Sequence, residues 1–199
     1  MMENNLRELV DLYIQEARPG ELEELKLYKQ EKSFIHALEH AALATDWQGR
    51  KYQHQWRIQS HVLQQSYTAL FGVQKAIRHA TSFKELHRII EQATSRIHGL
   101  GELYIYDTAL RIGAHLKQEP TDIYLHAGTR QGARALGYRG PGPLSLVNLR
   151  PEHKELLRLP AHQIEDFLCL FREEFGQQEP SRKKKGCKKV SRRRKCYFE

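Results

Sequence analysis

Cysteine is scarce in this 199-residue chain. Cys169, Cys187 and Cys196 are too few and too unevenly placed for a disulfide framework, so a reducing compartment, the cytoplasm, is expected. Long apolar runs are missing too. No stretch of about 18 uncharged apolar residues occurs, and a transmembrane helix is not expected. The opening residues, Met1-Met2-Glu3-Asn4-Asn5, lack a basic region followed by an apolar run, so no secretory signal is expected. Strand-like alternation is absent, and no internal repeat stands out.

Charge is present, and it is segregated. From Ser181 to Glu199 there are ten Lys/Arg and one Glu, a net +9. Residues 1–180 hold 22 basic and 23 acidic residues and all eleven histidines. Within them, residues 51–100 carry +5, while 1–50 and 151–180 each carry −4. A near-neutral body with a basic middle and a basic tail points to a polyanionic partner.

Apolar residues recur at helical spacing almost throughout, which predicts an all-α, multi-helix body over 1–178. Leu6, Leu9, Val10 and Tyr13 form one stripe, which Pro19-Gly20 is expected to end. A long helix is expected from Trp56 to His79, with Gly72 marking a bend or close packing. Ser82 and Glu85 read as a capping box, opening a helix with Phe83, Leu86, Ile90 and Ile97 on its apolar face. A helix from Leu103 to Leu116 follows. Ile123-Tyr124-Leu125 is a helical turn or a short extended piece. Helices are expected over 126–136, stopped by Gly137, and over 160–175. Ten like charges in residues 179–199 cannot build a packed core, which predicts a disordered tail.

The most informative segment is Ile97-His98-Gly99-Leu100-Gly101-Glu102. Two glycines around one apolar residue allow a tight reversal between helices, with Leu100 tucked inward. The amides at Gly101 and beyond would open a helix N-terminus, a ready anion site, with Glu102 competing for the same positive end. This Gly-Leu-Gly turn resembles the helix-hairpin-helix motif. With the helix that follows, Ile123-Tyr124-Leu125-His126 and Arg130, residues 83–137 resemble the core of endonuclease III-type DNA glycosylases. The resemblance implies an all-α fold and a hairpin that grips phosphate backbone. It does not carry catalysis over, because Leu103 and Tyr124 stand where that family places Lys and Asp, and Ile105 replaces its close-packing Ala. Asp107 and Asp122 lie nearby but off the motif position. No four-cysteine cluster is present for an iron–sulfur group.

His126, Arg130 and Arg134 fall at i, i+4 and i+8 and would line one helix face as a row of phosphate contacts. Lys51-Tyr52-Gln53-His54-Gln55-Trp56-Arg57 mixes cations and aromatics that suit bases and phosphates, or starts a helix with Trp56 packed inward. His36-Ala37-Leu38-Glu39-His40 has the spacing of a zinc-peptidase helix, but it lacks a third ligand. No metal and no cofactor are expected.

The tail cations Lys183, Lys184, Lys185, Arg192, Arg193 and Arg194 suit counterion-release binding. The expected function is nucleic-acid binding, with duplex DNA the first candidate and nucleoid or nuclear association following from it. A divergent glycosylase-like or nuclease-associated enzyme and a protein-interaction module are the alternatives.

Overall fold

The computed structural model describes residues 2–175, so residues 179–199 and the tail expectation lie outside the described residues. The described chain is mostly helical. Its α-helices are α1 (Met2–Leu12), α2 (Arg18–Gln30), α3 (Phe34–Leu43), α4 (Ser60–Gly72), α5 (Gln74–Arg78), α6 (Phe83–Thr94), α7 (Glu102–Leu116), α8 (Ala127–Ala135) and α9 (Ala161–Leu170). Strands β1 (Asp122–Ile123) and β2 (Leu144–Ser145) pair antiparallel, Asp122 opposite Ser145. No helix among the described residues is long and apolar enough to cross a membrane.

The chain forms two compact units. One takes the chain up to Glu24 and again from Asp122 onward; the other is Leu25–Thr121. The first boundary falls inside α2. The hairpin core expected over 83–137 is divided at the second, so Gly99-Leu100-Gly101 belongs to one unit and His126, Arg130 and Arg134 to the other.

In the unit formed by the two chain ends, Leu6, Val10 and Tyr13 of the N-terminal helix meet Ile123, Ala133, Tyr138, Leu156, Ile164, Phe167 and Leu168 in one core. Tyr13 and Phe167 touch edge to face at 5.9 Å. Gly132 lies directly against the Leu168 backbone, which lets α8 and α9 approach closely. Pro19-Gly20 does not end the first helix. Residues Tyr13–Ala17 wind as a π-helix, and the Arg18 amide donates to the Tyr13 carbonyl five residues back. Proline has no amide to donate and crowds the carbonyl four residues before it. The wider turn relieves both problems, and the chain continues as α2.

The Leu25–Thr121 unit packs α3 on α4 and α7, and α6 on α7 and α4. Leu38, Leu70, Ile77, Leu86, Ile90 and Ile112 are fully buried. Ser82 caps α6, its hydroxyl accepting from the Glu85 amide at 3.3 Å. The Glu85 carboxylate reaches back to the Thr81 amide at 2.8 Å, one residue further than a capping box requires.

The long helix expected from Trp56 is shorter than its apolar stripe. Helix α4 begins at Ser60 and stops at Gly72, where an added Cβ would meet nothing, so Gly72 marks a break and not close packing. Likewise α9 ends at Leu170, although Phe171 and Phe175 still pack on its core.

Candidate nucleic-acid interface and a buried polar cluster

Gly99 has φ +96°, a conformation that favours glycine, and it reverses the chain between α6 and α7. Gly101 does not need this freedom. Its φ of −114° and ψ of 177° are extended backbone, and it stands as the N-cap of α7 with no side-chain cap. A larger residue at Gly101 would therefore meet no backbone strain, whereas one at Gly99 would. Leu100 turns inward, against a small core of Ala44, Leu63 and Tyr104. The Tyr104 hydroxyl lies 2.7 Å from both the Ala42 carbonyl and the Ser66 hydroxyl.

That small core also receives Tyr52 and Ile58. It therefore joins four pieces of chain: the end of α3, the segment 51–59, the first turns of α4, and the hairpin with the start of α7. An added Cβ at Gly99 would sit 3.8 Å from Val62, in the first turn of α4. The N-cap of α4, Gln59, makes no side-chain cap either. Two helices, α4 and α7, thus open at one small core, and neither N-cap residue caps its first turn with a side chain. An open groove beside them is lined by His61, Gln64, Gln65, Thr68 and Ile97. Arg57, His61, Arg96 and His98 are exposed within a few residues of these lining positions in sequence, and Glu102 is the exposed acid at the start of α7.

Segment 51–59 is held from below. The Lys51 ammonium donates to the Ile58 carbonyl at 2.8 Å. Gln55 is buried, and its amide donates to the Asp107 carboxylate of α7. Tyr52 lies under the buried Arg111 guanidinium, 3.9 Å from its ring centre. These contacts hold Gln53–Gln55 as a 3-10 turn and keep residues 56–59 out of α4, which is why the helix starts late. Trp56 faces outward, 63% exposed, and is not packed inward.

In the other unit, the expected row of cations divides. His126 is buried; its imidazole meets the Glu165 carboxylate and lies 2.7 Å from the Thr129 hydroxyl. Thr129 donates to the same carboxylate oxygen at 2.6 Å. Arg130 is half-buried and donates to the Leu125 carbonyl at 2.5 Å. Arg134 alone of the three is exposed. A row on one face would require His126 to point to solvent, whereas a carboxylate 39 residues away holds it in the interior.

In the same unit, Glu21 of α2 meets Nε2 of His162 on α9 at 3.5 Å and accepts from the Tyr13 hydroxyl at 3.5 Å. Burial, reinforced by Asp166 and opposed by a hydrogen bond from Gln163, pushes the Glu21 carboxyl up to about 8, so it is protonated at neutral pH. The contact with His162 is therefore not an ion pair at that pH. None of these groups was singled out in the sequence as a site, because Glu21 meets its neighbours only through the fold.

Because the folded carboxyl titrates far above an ordinary glutamate, the folded state binds its proton more tightly. Glu21 thus stabilises the fold fully below about pH 4.5, and that contribution is lost as pH rises towards 8, at up to about 1.4 kcal/mol per pH unit. Urea denaturation between pH 5 and 8 should show wild type losing stability relative to Glu21→Gln. A wild-type-minus-variant difference that stays flat with pH would refute it.

A cavity of about 100 Å³ in this unit is lined by Leu6, Leu9, Leu136, Arg150, His153 and Phe175 among others, and neither Tyr124 nor His126 lines it. His36 is exposed, and His40 stacks on Trp47 at 4.5 Å. Among the described residues no group of three His, Cys, Asp or Glu side chains is placed to hold a metal ion. Comparison of the chain with protein-family models, with curated proteins and with solved structures found no match.

Proposed function

We propose that this protein binds nucleic acid through its phosphate backbone, with the Gly99-Leu100-Gly101 hairpin as the docking point of the body and the Lys/Arg-rich tail adding affinity. Duplex DNA is the first ligand to test. One observation carries the reading: the hairpin, the start of α4 and the start of α7 meet at one small core, and neither helix has a side-chain cap from its N-cap residue. First-turn amides at the positive end of a helix dipole suit a phosphate. Of the cations that give residues 51–100 their +5 charge, Arg57 and Arg96 are exposed and close in sequence to these helix starts, and they would draw a polyanion there. The helix-hairpin-helix resemblance points the same way.

The glycine geometry makes the test clean. An added side chain at Gly101 meets no neighbour and strains no backbone. Gly101→Val should therefore fold as wild type, yet crowd an approaching phosphate and weaken duplex binding by about 1–2 kcal/mol, the scale of a lost charge-assisted hydrogen bond. The measurement is a salt-titrated binding assay on the chain ending at Gln178, with circular dichroism as the folding control. A folded Gly101→Val that binds as wild type would sink the hairpin as docking point. Base release or strand cleavage by the purified protein, abolished on replacing Asp122 or Tyr124, would instead favour the enzyme reading.

A further inference from the structure

We infer that Trp56, with Arg57 beside it, is a stacking platform for an unpaired nucleobase, so that the hairpin end of the Leu25–Thr121 unit takes single-stranded nucleic acid. The inference rests on the nucleic-acid reading above and adds the strand class that this end accepts.

Trp56 is among the most exposed large apolar side chains of the described chain. A lone exposed apolar residue is ordinary on a protein surface. What sets this one apart is the rigidity beneath it. The neighbouring Gln55 is buried and tied to Asp107, Tyr52 lies under Arg111, and the Lys51 ammonium closes the segment onto the Ile58 carbonyl. The chain spends three anchoring contacts on a short segment whose tip carries an indole pointing away from the core. A ring held in place loses little freedom when a ligand stacks on it.

The chemistry around the ring selects the ligand. The Arg57 guanidinium sits 5.2 Å from the Trp56 ring centre, so a cation lies at the aromatic surface, and His54, two residues before the ring, is exposed. An aromatic face with an adjacent cation suits a base together with its phosphate. Duplex DNA hides its base faces within the stack, so only an unpaired base can use the ring. Ile58, two residues on, packs against the same small core as Leu100 of the hairpin. The ring and the hairpin therefore share one end of the unit, and one strand can engage both.

The test uses the full chain, a short oligothymidylate and a duplex of equal length. Trp56→Ala should bind oligothymidylate about tenfold or more weakly, in line with the loss of one base–aromatic stack, and bind the duplex as wild type. Trp56→Tyr should recover part of the loss. Wild-type tryptophan fluorescence should be quenched by oligothymidylate, and the quenching should disappear in Trp56→Tyr, because the other tryptophan is packed between Tyr28 and His40. Since Trp56 is exposed, both variants should keep the wild-type melting temperature.

Unchanged oligothymidylate affinity in Trp56→Ala, with duplex binding intact, would overturn the stacking platform and leave the backbone reading standing. Equal losses on both ligands would also overturn it, because the segment would then contact backbone alone. Failure of wild type to bind either ligand would remove both readings together.

Discussion

Ending the chain at Gln178 is expected to lower affinity for duplex DNA by roughly 100-fold or more at physiological salt, and to flatten its salt dependence. The removed segment carries ten Lys/Arg against two acids, Glu179 and Glu199. Each phosphate neutralised on duplex DNA releases condensed counterions and contributes about −0.9 to the slope of log affinity against log salt. If half of the ten cations engage, the slope falls by about 4 to 5 units. The helix content of the body should not change, since the described cores end by Phe175. Binding measured from 50 to 300 mM salt decides the matter. An unaltered slope would show that the tail does not meet the duplex, and loss of helix on truncation would show that it belongs to the folded body.

The largest effect on stability is expected at Gly132. An added Cβ there would overlap the Leu168 carbonyl oxygen and come within 2.9 Å of the Leu168 carbonyl carbon and 3.2 Å of its Cα. All three are backbone atoms inside a helix, so no rotamer change relieves the clash. Either α8 and α9 separate or α9 bends, and each route opens the core around Phe167 and Ile164. Gly132→Ala should destabilise this unit by about 3 kcal/mol or more, the upper range for overpacking. Gly140→Ala is the control. Its added Cβ meets nothing, and the cost should stay within about 0.5 kcal/mol. Amide hydrogen exchange should show lost protection across Ala161–Leu170 in the first variant and none in the second. Wild-type protection in Gly132→Ala would refute the close crossing.

What could be read in the sequence was local. The α6–α7 reversal, the start of α6 at Ser82 and the Gly137 stop all follow from apolar spacing and from residues within a turn of each other. The misreadings share a cause. Pro19 breaks most helices, but here a π-turn, itself invisible in composition, makes room for it. Residues 56–59 have helical spacing, but Gln55 answers to Asp107, 52 positions away. Gly101 and Gly99 look alike in sequence, and only the backbone separates the one that needs a positive φ. His126 has the spacing of a helical row with Arg130 and Arg134, yet it stands as the extended N-cap of α8 and Glu165 holds its ring inward. The Glu21 cluster gave no local signal, because its members come from opposite ends of the chain. Where long-range polar contacts choose the orientation of a side chain, periodicity does not report it.

Building one unit from both ends of the chain sets an order of events during synthesis. The apolar stripe of Leu6, Val10 and Tyr13 leaves the ribosome long before Ile123, Ile164 and Phe167 exist to cover it. The intervening Leu25–Thr121 unit is continuous in sequence and can complete its own core first. At about 5–20 residues per second, the amino-terminal helix waits several seconds to tens of seconds with its sticky face uncovered. That interval is when a chaperone, or a second nascent chain, has access to a surface the finished protein never shows.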